Sequence, residues 1–206
     1  MATHRVRRAA VDEVVPAAKL LTRAFADDPI SRWCLACDDP IALIELEFLQ
    51  AAQQLAAYGS LWATADMSGV AGWVPPGAGY DEDAVNAVIN PALVARGGHP
   101  GRRIRFWEWI EDHRPSVRHW YLDMLAVEPD RQRSGLGSLL LADGLERADT
   151  LGEPSFLVTA NPRTVPFYGR HGFVTESEEE APEEGPVVWF MSRATSRNTS
   201  VEPDSS

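Results

Sequence analysis

No apolar run in this chain approaches the roughly eighteen residues needed to cross a membrane, so membrane partners are not expected. The amino terminus, MATHRVRRAAVDEVV, turns acidic before any apolar stretch develops. That pattern argues against a secretory signal and for a cytoplasmic protein. Cationic charge is scarce as well: 19 Lys and Arg against 30 Asp and Glu leave a formal net charge of -11. A non-specific nucleic-acid binder would need a basic face, so nucleic acid is excluded as a partner class. Cysteine is rarer still, with only Cys34 and Cys37 in the segment CLAC. A structural zinc takes four ligands, and the chain has no second cysteine pair to complete a site. Its five histidines are scattered, with none at a helical i,i+4 spacing. No metal is therefore expected, and both cysteines are read as small buried apolar side chains. Internal repeats are absent too, which rules out a solenoid or propeller.

What remains is an ordinary globular composition, 45% hydrophobic and 24% charged, long enough to bury one sizeable core. Residues 5–10 read as a short strand. From Val11 the pattern turns helical, with Val14, Ala18, Leu21 and Phe25 on one face. ADDPISRW (26–33) breaks it, because the residue before Pro29 is pushed away from helical angles. A second helix is expected over 40–59, where Ala42, Leu46, Leu49, Ala52 and Leu55 repeat helically. A hairpin follows, with strands over 60–66 and 69–75 and a turn at Met67 and Ser68. Residues 76–117 look like a variable helical segment, with helices near 81–95 and 103–112, expected to cover a pocket. Residues 118–129 form the best-marked strand, rich in aromatic and branched residues and stopped by Pro129. A helix over 135–152, a buried strand over 154–160, a short helix over 163–172 and a final strand pair complete the pattern. Alternating strands and helices at the centre predict an α/β fold with a crossover connection. Residues 1–193 are read as one domain, and 194–206, nearly free of apolar residues, as a disordered tail.

The stretch PDRQRSGLGSLLL (129–141) lies between that central strand and the helix. A Walker loop would need G-x-x-x-x-G-K-[ST], and neither the spacing nor the lysine is there. A dinucleotide fingerprint would need a third glycine where Leu140 stands. The remaining pattern is Q-x-x-G-x-G, running from Gln132 through Arg133, Ser134, Gly135, Leu136 and Gly137. The unsatisfied N–H groups of a helix's first turn would lie beside two glycines that let a ligand approach the backbone. The positive end of the helix favours an anion, and Arg131 and Arg133 add charge in an acidic chain. The alternative is a plain strand-to-helix turn, which would not require arginines or paired glycines.

LAVEPDRQRSGLGSLLL resembles motif A of the GNAT superfamily of acetyl-CoA-dependent N-acetyltransferases. NPRTVPFYGRHGF (161–173) resembles the motif that follows it there. AFADDP near the start and EGPVVWFM near the end are similar to the puromycin N-acetyltransferase branch. The resemblance covers most of residues 5–193. It implies a mixed, mostly antiparallel sheet that splays between two strands, with helices on both faces. It also implies that the amides from Gln132 through Ser138, helped by Arg133, hold the coenzyme A pyrophosphate. The pantetheine arm would then lie against the backbone of Leu125, Ala126 and Val127 and near Asn161. A bulge in that strand could aim an N–H at the thioester carbonyl. Tyr168 matches the general acid that protonates the departing thiolate, while Phe167 is assigned to packing.

An amine nucleophile also needs a base. Asp123 is the candidate, because it sits mid-strand on the face expected to carry Tyr121 and Leu125. A carboxylate in an apolar strand is costly to bury without a purpose or a partner; the alternative role is a structural aspartate beside a strand bulge. The loop carrying Asp27, Asp28 and Trp33, together with Tyr121, is expected to contribute to the acceptor site, an exposed acidic turn being the alternative. The expected activity is acetyl transfer from acetyl-CoA to a primary amine of a small molecule, in a monomer or homodimer. A non-catalytic acyl-CoA sensor and a protein N-acetyltransferase are the competing readings.

Overall fold

The computed structural model describes residues 5–195, so most of the expected tail lies outside the described residues. Seven strands form one sheet in the order β1-β2-β3-β4-β5-β7-β6. They are β1 (Val6–Arg8), β2 (Leu61–Thr64), β3 (Gly69–Val74), β4 (Trp120–Val127), β5 (Ser155–Thr159), β6 (Val174–Glu180) and β7 (Val187–Arg193). Every neighbouring pair is antiparallel except β4 with β5. The parallel step is made possible by a crossover helix, α6 (Leu136–Leu151), as the alternating pattern requires.

Helices cover both faces. On one lie α1 (Val14–Ala24) and α3 (Pro40–Ala57), which pack on each other and on the central strands; on the other lies α6. The core splits accordingly. Leu20, Leu21, Ile44, Leu55 and Phe156 belong to the first layer, and Trp73, Leu140, Leu141, Leu145 and Leu157 to the second. The expected apolar face of α6 (residues 136, 140, 141, 145 and 148) is buried throughout. In α3 the phase differs from expectation. Leu43, Ile44, Ala52 and Leu55 are buried while Ala42 is exposed, because the first turn meets α1 and the sheet one residue later than the repeat suggested.

A further helix, α2 (Pro29–Cys34), occupies the stretch expected to be a break. Asp28 is extended (φ -65°, ψ 130°), as the following proline demands, yet its carboxylate accepts from the Ile30 and Ser31 amides. Asp-Pro is here a helix start, with Pro29 at the first position, where no N–H is missed. Cys34 is buried, whereas Cys37, past the end of α2, is only partly so and departs from the expected burial. Residues 76–117 supply α4 (Glu82–Val94) and α5 (Pro100–Asp112). These pack on α3 and α2 and roof the cavity described below. The short α7 (Val165–Gly169) follows β5.

Candidate active site

β4 and β5 pair only through Trp120, Tyr121 and Leu122, opposite Ser155, Phe156 and Leu157. Beyond Leu122 the two strands diverge, and the β5-facing backbone of residues 123–127 has no strand partner. On its other edge β4 pairs with β3, and there the register shifts. Gly72 faces Met124 while its neighbour Trp73 faces Leu122, so Asp123 is the extra residue of a β-bulge. A bulge reverses the alternation beyond it. Tyr121, Met124 and Ala126 consequently share the layer under α1 and α3, whereas Leu122, Leu125 and Val127 belong to the layer under α6. The expected common face of Tyr121, Asp123 and Leu125 is thus corrected: Leu125 points to the opposite layer.

The opening between the strands is continuous with a cavity of about 500 Å³. One end is walled by Leu125, Ala126, Val127, Gln132, Gly137, Asn161 and Tyr168. Of the two glycines in the loop feeding it, only Gly135 takes a left-handed conformation. Arg133 (φ 60°) and Gly135 (φ 88°) are both left-handed, and Gly135 caps α6. Gln132 Nε2 reaches the Val127 carbonyl at 3.4 Å, and Ser134 Oγ donates to the Arg131 carbonyl at 2.5 Å. Among the loop residues, only Gln132 and Gly137 line the cavity. Leu136 turns its side chain into the core, and Ser138 Oγ meets His171 Nε2 at 3.0 Å. Asn161 closes a turn by accepting from the Arg163 amide at 3.1 Å and lines the cavity.

Tyr168 stands on the same wall. Its ring packs edge-on against Phe167 and Phe173. Burial, then the nearby Asp28 carboxylate, push the phenol well above its ordinary pKa, so it carries its proton at neutral pH. Phe167 packs on His171 as well, in keeping with its structural assignment, and it also lines the cavity.

The other end is polar and acidic. Asp27, Asp28, Glu47, Glu82, Glu111 and Asp123 line it against Arg103 and Arg114, six carboxylates to two guanidiniums. Both cations are engaged. Arg103 bonds Glu47 at 2.6 Å and Asn86 at 2.7 Å, and Arg114 pairs with Glu111 while lying over the Tyr121 ring. Asp123 accepts from the Tyr80 hydroxyl at 2.7 Å. Burial raises its pKa to about 6, opposed by the Tyr80 hydrogen bond and by Arg114. Burial also raises Asp28 and Glu82. Asp27, Asp28 and Tyr121 sit where the acceptor reading put them; Trp33 does not. It lies on the far side of α2, against Phe106 with Arg102 over its ring, and takes no part in the cavity wall.

Several wall residues carry no signal in the sequence: Tyr80, Glu82, Arg103, Trp107, Glu111 and Arg114. All come from 76–117, and only the expectation that this segment covers a pocket pointed toward them.

Comparison with known proteins agrees with this fold. Residues 110–193 match the acetyltransferase (GNAT) domain family. A Corynebacterium glutamicum structure, described as histone acetyltransferase HPA2 and related acetyltransferase, is 25% identical. The match covers 98% of this chain and 99% of that one, at a TM-score of 0.70. A Drosophila melanogaster polyamine N-acetyltransferase, which forms N-acetylagmatine, is 16% identical over 92% of this chain and 99% of its own, at 0.64. The Thermoplasma acidophilum PaiA N-acetyltransferase in complex with coenzyme A is 11% identical over 93% and 99%, at 0.57; these last two likenesses concern the fold.

Proposed function

We propose that this chain, which belongs to the GNAT superfamily and is an N-acetyltransferase, moves an acetyl group from acetyl-CoA to a primary amine of a small molecule. The two substrates react directly in a ternary complex. The observation that carries this reading is the continuity of the cavity. Its donor end, between the splayed strands, leads without interruption into an acidic acceptor end.

The donor end fits an acetylated pantetheine chain. Open backbone groups of residues 123–127 supply strand-like pairing for its amides, and the first turn of α6 supplies N–H groups and a positive dipole for its pyrophosphate. Asn161 adds a side-chain amide. At the acceptor end, Asp123 takes the amine proton as the nitrogen–carbon bond forms, and Tyr168 gives its proton to sulfur as the carbon–sulfur bond breaks. Asp123 titrates at about 6, so it is mostly ionised and ready as a base at neutral pH. Tyr168 holds the opposite state.

The charge balance of the acceptor end favours a cation. With Arg103 and Arg114 already paired, Asp28, Glu82 and Asp123 remain to attract an ammonium group. The roof formed by α4 and α5 encloses that end, which suits a small molecule better than a protein chain.

Thiol release from acetyl-CoA, measured across aminonucleosides, polyamines, amino acids and amino-terminal peptides, tests the proposal. Turnover of one of the small amines is expected. Turnover of peptides alone would assign the chain a protein acceptor, and aminonucleoside turnover would extend the likeness to the puromycin branch. Tight acetyl-CoA binding with no thiol release from any amine would point to a sensor.

A further inference from the structure

Tyr80 lies outside every motif of the sequence, yet its segment is anchored on the acceptor side of Asp123. Its two chain neighbours are both anchored to the last turns of α3. The Tyr58 hydroxyl donates to the Gly79 carbonyl at 2.6 Å, and the Asp81 amide donates to Gln54 Oε1 at 2.7 Å. Asp81 in turn caps α4 by accepting from the Ala84 amide at 3.0 Å. Between these anchors the Tyr80 ring enters the cavity wall, and its hydroxyl donates to Asp123 Oδ2 at 2.7 Å. Asp123 itself sits on the bulge, with no residue opposite it on β3. Its carboxylate takes its bearing from that side-chain contact.

We infer that Tyr80 is a positioning residue for the reaction: clamped by Tyr58 and Gln54, it holds the bulge carboxylate of Asp123 in one orientation on the acceptor side of the cavity. This rests on the reading of Asp123 as the base. A hydrogen bond from a neutral donor to a carboxylate favours the charged form, so Tyr80 also opposes the effect of burial on Asp123. The other groups that act on this carboxylate are Arg114 beyond α5, which favours ionisation, and Glu47 of α3 and Glu82 of α4, which oppose it; the Tyr121 phenol of β4 is neutral at working pH. Among the described residues, Tyr80 is the one of these groups that hydrogen-bonds Asp123.

The test is a carboxyl-carbon NMR titration of the full chain labelled with ¹³C-aspartate, with the Asp123 signal assigned by its loss in Asp123→Asn. Tyr80→Phe is expected to move the Asp123 midpoint up by about one pH unit. The acid limb of kcat/KM, measured by thiol release with the fastest amine of the panel above, should rise with it. Turnover at pH 6 should fall about fivefold with KM for acetyl-CoA unchanged. Tyr80→Phe that moves neither midpoint nor limb, while Asp123→Asn removes the limb, overturns the role of Tyr80 alone. An Asp123→Asn enzyme with an unaltered limb overturns the base assignment and this inference together. Should Tyr80→Phe not fold, Tyr58→Phe and Gln54→Ala loosen the same clamp from α3, and an unmoved Asp123 midpoint in both is equally fatal to the idea.

Discussion

Gly144 of α6 lies flat against the indole of Trp73 on β3, and a Cβ added to the glycine would overlap the ring. Trp73 is also the residue at which the β3–β4 register shifts. The helix therefore rests on the strand residue that sets the bulge, and the bulge in turn brings Asp123 to the cavity. Gly144→Ala should improve helix propensity by about 1 kcal/mol, yet overpacking against a buried indole outweighs that gain. A net loss of about 1–2 kcal/mol is expected, lowering Tm by roughly 2–8 °C. Repeating the substitution in a Trp73→Phe background should recover part of the loss, the non-additivity expected of residues in contact. Additive losses would show that the contact is not what requires the glycine.

The features that were legible in the sequence are those encoded locally. Helix α6 shows its apolar repeat and its glycine start, Pro129 marks the end of β4, and Asn161 and Tyr168 lie in a contiguous motif. Features set by a partner element were not legible. The resemblance implies a bulge in this strand, but its place depends on how β3 pairs and nothing in WYLDMLAV announces it, so alternation alone puts Leu125 on the wrong face. Helix α2 is too short for a periodic signal, and so Trp33 was read as facing the acceptor when it faces α5. The acidic acceptor end joins residues from α3, α4, α5 and β4, and such a constellation exists only once the layers are packed.

Gly137 tests the donor end separately from the fold. A Cβ there would make ordinary contacts, 3.6 Å from Phe167 and 3.8 Å from Val127. Gly137→Val should therefore leave Tm within a few degrees, since valine and glycine differ little in helix propensity. The added methyl groups would occupy cavity space, and acetyl-CoA affinity should drop by about tenfold or more, or ~1.4 kcal/mol. Calorimetric titration with acetyl-CoA beside a thermal melt reads both quantities. Unchanged affinity would remove Gly137 from the donor site.

Tyr168→Phe keeps the ring packing against Phe167 and Phe173 and deletes only the hydroxyl. Turnover should fall on the order of 10²-fold, the usual scale of a lost general acid, with KM for acetyl-CoA changed by no more than about twofold. Steady-state kinetics at saturating amine measures this. Wild-type turnover would return the tyrosine to a packing role and leave protonation of the thiolate to water.

Asp123→Asn distinguishes a catalytic carboxylate from a structural one through stability alone. The folded protein holds the Asp123 proton up to about pH 6, whereas the group's ordinary value is 3.8. Between these values the folded state binds a proton that the unfolded chain has released, so this group's contribution to stability falls as pH rises from about 4 to about 6. Above pH 6 the full cost is present, about 1–3 kcal/mol for a shift of this size. Asparagine can still accept from Tyr80 and bears no charge to desolvate. The variant should therefore melt about 2–8 °C above the wild type at pH 8, with the difference closing as pH approaches 4. A carboxylate kept at the bulge for structural reasons would give the reverse, a variant less stable than wild type at pH 8, and melts across pH 4–8 decide between them.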